Sequence, residues 1–263
     1  MNIHERKMLD ILKRGKEEYG VVATKAEFEA EGTRTDELLR LLEMAHKADI
    51  GMALKVGGCE AIRDMLEARQ FGVNYIIAPM VESPYALSKF IDAKNKIYCA
   101  DEQRDTKFLF NMETITAFMH IEEMAKIASA KNGLDGLVFG RVDVSGSMGW
   151  SRNIINTNGV TEYCVKASRV CQDYKIDMVL GGGVSVDALD ALREIHATHL
   201  DRFETRKIIF DADALNINNI EAGLLEAVKF ELLWLLNKRD YHALIMKEDD
   251  QRIEMLESRW KVL

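Results

Sequence analysis

Two acidic residues, Glu113 and Asp143, each follow a short apolar stretch with the composition of a buried strand. Glu113 comes directly after Phe108–Met112 and Asp143 directly after Gly136–Val142, with a helical pattern over Ile115–Lys131 between the two stretches. A strand–helix–strand unit makes its strands parallel neighbours, so their carboxyl ends meet at one edge of the sheet. Carboxylate oxygens, with water in the remaining positions, are the usual ligands of Mg²⁺ or Mn²⁺. The spacing therefore indicates a divalent-metal site, with a helix cap or a solvated acid as the alternative for each residue.

The elements that must position these acids alternate between strand and helix along most of the chain. The predicted strands are Gly20–Glu29, Gly51–Val56, Tyr75–Val81, Phe108–Met112, Gly136–Val142, Asp177–Leu180 and Lys207–Asp211. Most are short apolar runs, as expected of a parallel sheet that is buried on both faces. Seven strand–helix repeats predict an α/β fold, the (β/α)₈ barrel, whose eighth strand is short, irregular or hidden in Asn95–Asp101. An open doubly wound sheet is the second candidate.

Length and composition favour one globular domain over residues 1–263. We expect an N-terminal helix in residues 1–19 and a C-terminal helical segment in residues 219–263. The formal charge of −8 and the lack of a basic stripe argue against a nucleic-acid partner. No stretch has the composition of a signal peptide or a membrane span, so we expect a cytoplasmic protein with no membrane partner. The four cysteines fit no zinc or redox spacing and are expected to be reduced thiols.

In a barrel of this kind, the reacting groups lie at the carboxyl ends of the strands. On the first predicted strand, Lys25, Glu27 and Glu29 alternate with apolar residues, so one face of that strand is entirely charged. In a barrel that face points into the mouth, whereas on an edge strand it would simply be solvated. Glu29 is therefore a candidate catalytic residue.

Lys55 ends the second predicted strand and is followed closely by Gly57 and Gly58. Two glycines allow a ligand to approach the main chain, and the helix that follows would offer free N–H groups to an anion. Lys55, Gly57 and Gly58 are therefore candidates for binding a substrate carboxylate or phosphate. The alternative is a tight turn with a solvated lysine.

The last two predicted strands are followed by weaker signals. Gly181–Gly183 could cradle a phosphate through its amides, but it lacks the spacing of a known phosphate-binding loop. Asp211 and Asp213 fit turn or capping roles better than ligand roles. No histidine follows a predicted strand, so a histidine-based triad has no support.

Three segments resemble the HpcH/HpaI aldolase/citrate lyase family of the phosphoenolpyruvate/pyruvate-barrel enzymes. Ala78–Ser83 is similar to the family's P-M-[VI]-E segment, and Met112–Thr114 to its glutamate–threonine metal motif. Phe139–Gly149 is similar to the G-x-x-D-L-[SA]-x-x-x-G motif that supplies a second metal carboxylate. The resemblance extends from about Val22 to Gly183.

The resemblance implies a (β/α)₈ barrel assembled as a trimer or hexamer, often with the last helix exchanged between subunits. It also implies Mg²⁺, Mn²⁺ or a similar ion held by Glu113 and Asp143. Family members make or break a carbon–carbon bond beside a carbonyl through a metal-bound enolate, commonly that of pyruvate or an acyl-CoA. A dication suits this chemistry, since it stabilises the negative oxygen that forms when the bond breaks.

The sequence departs from the family pattern at two positions, one that transfers a proton and one that binds the substrate anion. Glu27–Ala30 occupies the place of an acidic-x-Glu-His motif, so the histidine that transfers a proton in the aldolases is absent. The family's substrate-binding arginine aligns with Lys55, which keeps the charge but loses the bidentate fork. Arg141, two residues before Asp143, is a candidate replacement.

The leading hypothesis is a metal-dependent carbon–carbon lyase or aldolase that acts on a small 2-oxo acid or a related anionic substrate. Lys55 and Arg141 would hold the substrate, with Ser145 nearby, and Glu29, Glu82 or a metal-bound water would transfer the proton. One alternative keeps the barrel and metal but catalyses a specialised biosynthetic or CoA-thioester lyase reaction. Another is a non-catalytic subunit that binds a metabolite.

The C-terminal segment carries an apolar surface broader than a lone barrel helix needs. Its apolar residues are Leu224, Leu225, Val228, Leu232, Trp234, Leu235 and Leu236. Packing against another subunit, in a homo-oligomer, and packing as an ordinary core helix both explain this pattern.

Overall fold

Eight short strands form a closed barrel, in chain order, in a computed structural model that describes residues 1–260 apart from the side chain of Asn158. The last three residues of the predicted segment 219–263 lie outside this description. The strands are β1 (Val21–Glu27), β2 (Gly51–Lys55), β3 (Tyr75–Ala78), β4 (Lys107–Met112), β5 (Gly136–Gly140), β6 (Asp177–Gly181), β7 (Arg202–Glu204) and β8 (Ile208–Asp211). The barrel is confirmed, and the open doubly wound sheet is excluded because β8 closes onto β1.

Helices surround the barrel and connect most of the strands. The α-helices of the described residues are α1 (Ile3–Tyr19), α2 (Thr35–Ala48), α3 (Ile62–Phe71), α4 (Pro84–Ile97), α5 (Ile115–Phe118), α6 (Ile121–Ala128), α7 (Arg141–Ser147), α8 (Asn158–Tyr174), α9 (Leu189–His196) and α10 (Ile220–Trp260). None of the helices described is both long and apolar enough to cross a bilayer.

The last strand runs against the others. Strands β1 to β6 each pair in parallel with the next strand, whereas β8 is antiparallel to both β7 and β1. β7 and β8 therefore form a hairpin, whose turn at residues 205–207 lies at the edge where β1 to β7 end. Asp211 lies at the opposite edge, where its amide donates to the carbonyl of Gly20 and its side chain accepts from the amide of Asp213. The predicted capping role of Asp211 is thus observed.

The strand that the sequence pattern missed is β7, because Arg202-Phe203-Glu204 has no apolar run to mark it. Asn95–Asp101, the predicted hiding place, is instead the end of α4 and the turn that follows it. The predicted strand Gly136–Val142 also ends early. β5 stops at Gly140, and α7 begins at Arg141 without an intervening loop.

The barrel interior is apolar in the middle and charged at both ends. A cluster of small and medium side chains fills the middle layer: Ala23, Ala53, Ile77, Leu109, Val138, Val179 and Ile209. Below it, the guanidinium of Arg202 lies over the ring of Tyr75 and is 2.7 Å from Asp177. Above it lie the charged ends of the strands, so polar ligands can enter only from that mouth.

A buried ion pair holds the hairpin against β1. The ammonium of Lys207 is almost fully buried, pairs with Glu31 and lies 5.3 Å from the ring centre of Trp234. The Lys207 carbonyl accepts hydrogen bonds from the amide of Lys25 and the hydroxyl of Thr24, both at 2.8 Å. The hairpin turn is thus tied to β1 by the Lys207 carbonyl and to Glu31 by a buried cation.

We expect Glu31→Gln to lower the free energy of unfolding by about 3 kcal/mol, because it leaves the buried ammonium of Lys207 without a counter-charge. Urea denaturation measures this change. The double variant Glu31→Gln/Lys207→Met should recover at least half of the loss. Glu67→Gln, which breaks an exposed pair with Arg63 on α3, is the control and should leave the midpoint unchanged. Equal midpoints for Glu31→Gln and the control would contradict the role given to this pair.

Candidate active site

A cavity of about 580 Å³ opens at the carboxyl ends of β1 to β7. More carboxylates than basic side chains line it. The acids are Glu27, Glu29, Glu113, Asp143, Glu204 and Glu231, and the bases are Lys25, Lys55, Arg152 and Arg206. This excess of two negative charges equals the charge of one divalent cation.

Glu113 follows β4, and its side chain is buried in the cavity wall. Its Oε1 accepts from the side-chain amide of Asn111 and lies 3.3 Å from Nζ of Lys55. Its Oε2 is buried and has no hydrogen-bond partner among the described residues. Burial and the nearby charge of Asp143 raise the pKa of Glu113, against the opposing effect of Lys55 and Asn111. A buried carboxylate oxygen without a partner is costly, and a cation bound beside it would remove that cost.

Asp143 lies in the first turn of α7 and lines the same cavity as Glu113, as the strand–helix–strand pattern predicts. The donor set fits Mg²⁺ or Mn²⁺, since two carboxylates face one cavity and one of them has a buried oxygen free to coordinate. Among residues 1–260, no three His, Cys, Asp or Glu side chains form a group that could hold a metal alone. Water and substrate would therefore complete the coordination, as is usual for Mg²⁺.

Lys55 lies between two of the carboxylates. Its Nζ is 3.1 Å from Glu29 and 3.3 Å from Glu113, and its side chain is largely buried. Burial alone would lower the pKa of Lys55, but Glu113, Glu27 and Glu29 outweigh it and raise the pKa. Lys55 therefore remains a cation beside Glu113, where it can bind a substrate carboxylate.

The structure adds residues on the β1 and β7 side of the cavity. Lys25 is buried, with its Nζ bonded to Glu204 and 3.5 Å from Glu27. Arg206, in the hairpin turn, is 3.1 Å from Glu31 and 3.9 Å from Glu27. Glu204 and Arg206 were missed because β7 was not predicted; the run of charges from 202 to 207 was the available signal. Arg152, from a loop after α7, also lines the cavity.

Arg141 does not lie in the cavity wall, which corrects the prediction that it holds the substrate. Its guanidinium is fully buried and donates to the carbonyls of Gly182 and Gly183, both at 3.1 Å, and to Oδ1 of Asn156. The physical reason is helical geometry. Arg141 and Asp143 are two residues apart on α7, so their side chains diverge by about 200°, and only Asp143 faces the cavity.

Ser145 does not line the cavity either, since its buried hydroxyl donates to the carbonyl of Arg141 at 2.8 Å. Glu82 is exposed and lies outside the cavity wall, just before the residue that caps α4. Gly57 and Gly58 also lie outside it, and the Gly57 amide already donates to Asp64 at 2.7 Å. The helix expected beside these glycines begins only at Ile62. All of these residues were predicted to line the site because they follow predicted strands in the sequence. In the structure they lie outside the cavity wall.

The glycine loop after β6 does reach the cavity. Gly181, Gly182 and Gly183 all line it, and the last two have positive φ angles of 79° and 66°. A Cβ atom on Gly182 would lie 2.7 Å from the amide nitrogen of Val142. The loop therefore packs tightly on the start of α7, where the side chain of Arg141 anchors it.

Comparison with known proteins gives a consistent picture. The sequence profile described as HpcH/HpaI aldolase/citrate lyase matches residues 34–194, more than half of the chain. No curated protein matches the chain in sequence.

Solved structures share the fold at low sequence identity. A citrate synthase, SbnG, superposes with a TM-score of 0.60 at 17% identity, over 75% of this chain and 81% of its own. An HpcH/HpaI aldolase from Desulfitobacterium hafniense DCB-2 superposes with a TM-score of 0.59 at 14% identity, and the match covers 85% of this chain and 89% of the aldolase. An HpcH/HpaI aldolase/citrate lyase family protein from Burkholderia cenocepacia J2315 superposes with a TM-score of 0.63 at 11% identity. The match covers 92% of this chain and 90% of that protein. At these identities, the likeness to the solved structures concerns the fold.

We expect Arg141→Lys to lower the free energy of unfolding by about 2 kcal/mol, because one ammonium nitrogen cannot reach the three acceptors that three separate nitrogens of the guanidinium contact. Chemical denaturation measures this effect. Arg152→Lys, at an exposed arginine of the cavity wall, is the matched control and should leave stability unchanged. Unchanged stability of Arg141→Lys together with weakened binding of an anion would mean that Arg141 contacts the substrate after all.

Proposed function

We propose that this chain, which belongs to the HpcH/HpaI aldolase/citrate lyase family, is a divalent-metal-dependent carbon–carbon lyase or aldolase. Its substrate would be a small 2-oxo acid or a related anion. One observation carries the proposal. Glu113, whose Oε2 is buried and has no hydrogen-bond partner among the described residues, lines a cavity that Asp143 and Lys55 also line.

Glu113 and Asp143 would hold Mg²⁺ or Mn²⁺. When bound, the ion supplies a Lewis acid that stabilises negative charge on a carbonyl oxygen. Lys55 binds the carboxylate of the 2-oxo acid, because it is the cation next to Glu113 and its counter-ions keep it charged. Asn111 donates to Oε1 of Glu113 and thereby leaves Oε2 as the oxygen that would coordinate the ion.

The size of the cavity and the arginines that line it favour a second reactant beside the 2-oxo acid. The cavity volume of about 580 Å³ exceeds what a three-carbon acid needs, and Arg152 and Arg206 line the cavity. An anionic group on the electrophile could pair with either guanidinium. We therefore propose that the partner of the 2-oxo acid carries its own negative charge.

The first experiment is exchange of the pyruvate methyl protons in deuterated water, followed by NMR. We expect exchange with Mg²⁺ or Mn²⁺ and none with EDTA, since enolate formation needs the charge of the cation. Glu113→Gln keeps the size of the side chain but removes the charge, and it should reduce exchange at least about 100-fold and weaken Mn²⁺ binding.

Gly140→Ala is a second variant for the same site. A Cβ atom at position 140 would lie 2.8 Å from Cγ of Glu113, so it should displace that side chain and weaken Mn²⁺ binding. Gly146→Ala, where an added Cβ meets open space, is the control. Folded wild-type protein without exchange in either metal would exclude pyruvate-like enolate chemistry. Metal binding without turnover would instead favour the non-catalytic alternative.

We also propose that the chain forms a homo-oligomer, a trimer or hexamer, through α10. This helix has 41 residues and is about 60 Å long, so it extends well past the barrel. Large apolar side chains are exposed along it, among them Leu225, Val228, Leu232 and Leu235 at heptad spacing. The first buried part of α10 packs on α1, so this exposed stripe is available to another copy.

Leu232→Glu combined with Leu235→Glu should convert the oligomer to monomer, because charges replace the centre of the apolar stripe. Sedimentation velocity measures the mass. Lys229→Glu, an exposed charge on the same helix, is the control and should leave the mass unchanged. A monomeric wild-type protein would contradict the proposal. The four free cysteines are compatible with a reducing compartment, and we propose a cytoplasmic location.

A further inference from the structure

Glu204 is a buried carboxylate that none of the sequence motifs includes. It ends β7, its side chain is 5% exposed, and it lines the same cavity as Glu113 and Asp143. Its Oε1 accepts from the ammonium of Lys25. Its Oε2 is buried and has no hydrogen-bond partner within residues 1–260. One oxygen is thus fixed by a cation, while the other is left to meet a ligand.

Two glycines bring Glu204 and Glu113 toward one another. Gly140 on β5 and Gly181 on β6 are register partners, and both line the cavity. The side chain of Glu113, which follows β4, lies against Gly140, and its Cγ would be 2.8 Å from a Cβ atom added to Gly140. Glu204 leans over Gly181 from β7, with Oε1 3.2 Å from a Cβ atom added to Gly181. Adjacent strands lie about 4.8 Å apart, so about one strand spacing separates the two contact points.

The other carboxylates that could accept a proton are less suited to it. Glu29 is 3.1 Å from Lys55, and its side chain is 28% exposed. Glu27 lies between two cations, 3.5 Å from Lys25 and 3.9 Å from Arg206. Glu82 lies outside the cavity. Glu204 alone among these four combines burial, a place in the cavity wall and one oxygen without a charged partner.

We propose that Glu204 is the group that transfers the proton in this enzyme, with Lys25 as the positioning residue that holds it. This inference rests on the proposed function. Oε2 of Glu204 takes a proton from the carbon next to the substrate carbonyl. The C–H electron pair becomes the C=C bond of the enolate, and the carbonyl π pair moves to oxygen. In the reverse direction, the protonated Glu204 returns the proton to carbon.

Lys25 suits the positioning role because it stays charged. Burial alone would lower its pKa, but Glu204 and Glu27 outweigh that effect and raise the pKa. A charged ammonium on Oε1 fixes the side chain in one orientation and leaves Oε2 as the oxygen that can accept a proton. Lys25 itself donates to Glu204 rather than acting on the substrate.

The test compares Glu204→Gln with the wild-type protein in three measurements: pyruvate methyl exchange with Mg²⁺, affinity for Mn²⁺, and affinity for oxalate, a dianion shaped like the enolate. Glutamine still offers an acceptor oxygen to Lys25 but cannot take a proton. We expect exchange to fall at least about 100-fold, with both affinities within threefold of wild type. Glu204→Asp keeps a carboxylate that is one methylene shorter, and it should exchange measurably faster than Glu204→Gln.

Each result separates the two proposals. Exchange by Glu204→Gln at more than a tenth of the wild-type rate would overturn the role of Glu204 and leave the proposed function intact. Loss of Mn²⁺ or oxalate affinity in this variant would also overturn it, since Glu204 would then be a ligand or a structural group. Equal exchange rates in the Gln and Asp variants would overturn it as well. Absence of exchange in the wild-type protein would remove the proposed function, and this inference with it.

Discussion

Burial of charge at the mouth of the barrel is the constraint on which the rest of the structure depends. Six carboxylates and four basic side chains share one cavity above an apolar middle layer. Charges in such a place are stable only when paired, and Lys25 pairs with Glu204 and Glu27, while Lys55 pairs with Glu29 and Glu113. The carboxylates exceed the bases, so pairing within the protein leaves some acid oxygens without partners. Those oxygens define where a cation and a substrate would bind.

Two glycines, which have no side chain, shape this mouth as much as the charged residues do. Gly140 and Gly181 occupy adjacent inward positions, and Glu113 and Glu204 fill the space above them. Any larger residue at either position would push a carboxylate away. The two-glycine gap therefore sets the separation between the carboxylate proposed to hold the metal and the one proposed to move the proton.

The reversed last strand brings charged residues to the mouth that no sequence motif includes. A hairpin brings Glu204 and Arg206 to the mouth from β7 and the turn after it, and a buried Lys207–Glu31 pair holds that hairpin in place. The family's histidine position is Ala30, which lines the cavity without a titratable group. Glu204, the carboxylate proposed for the proton transfer, lines the same cavity from the side of β7.

The sequence by itself determined the barrel and the place of Glu113, Asp143 and Lys55 at its mouth. Each of these follows or ends a strand with a clear apolar run, and parallel strands bring their carboxyl ends together whatever the details of packing. Only the tertiary structure decided the positions of Glu204 and Arg141. β7 has three residues and no apolar pattern of its own, so its place in the barrel comes from pairing with β6 and, across the hairpin, with β8. The direction of Arg141 depended on a helix that starts one residue after the strand, since a turn of about 100° per residue separates it from Asp143.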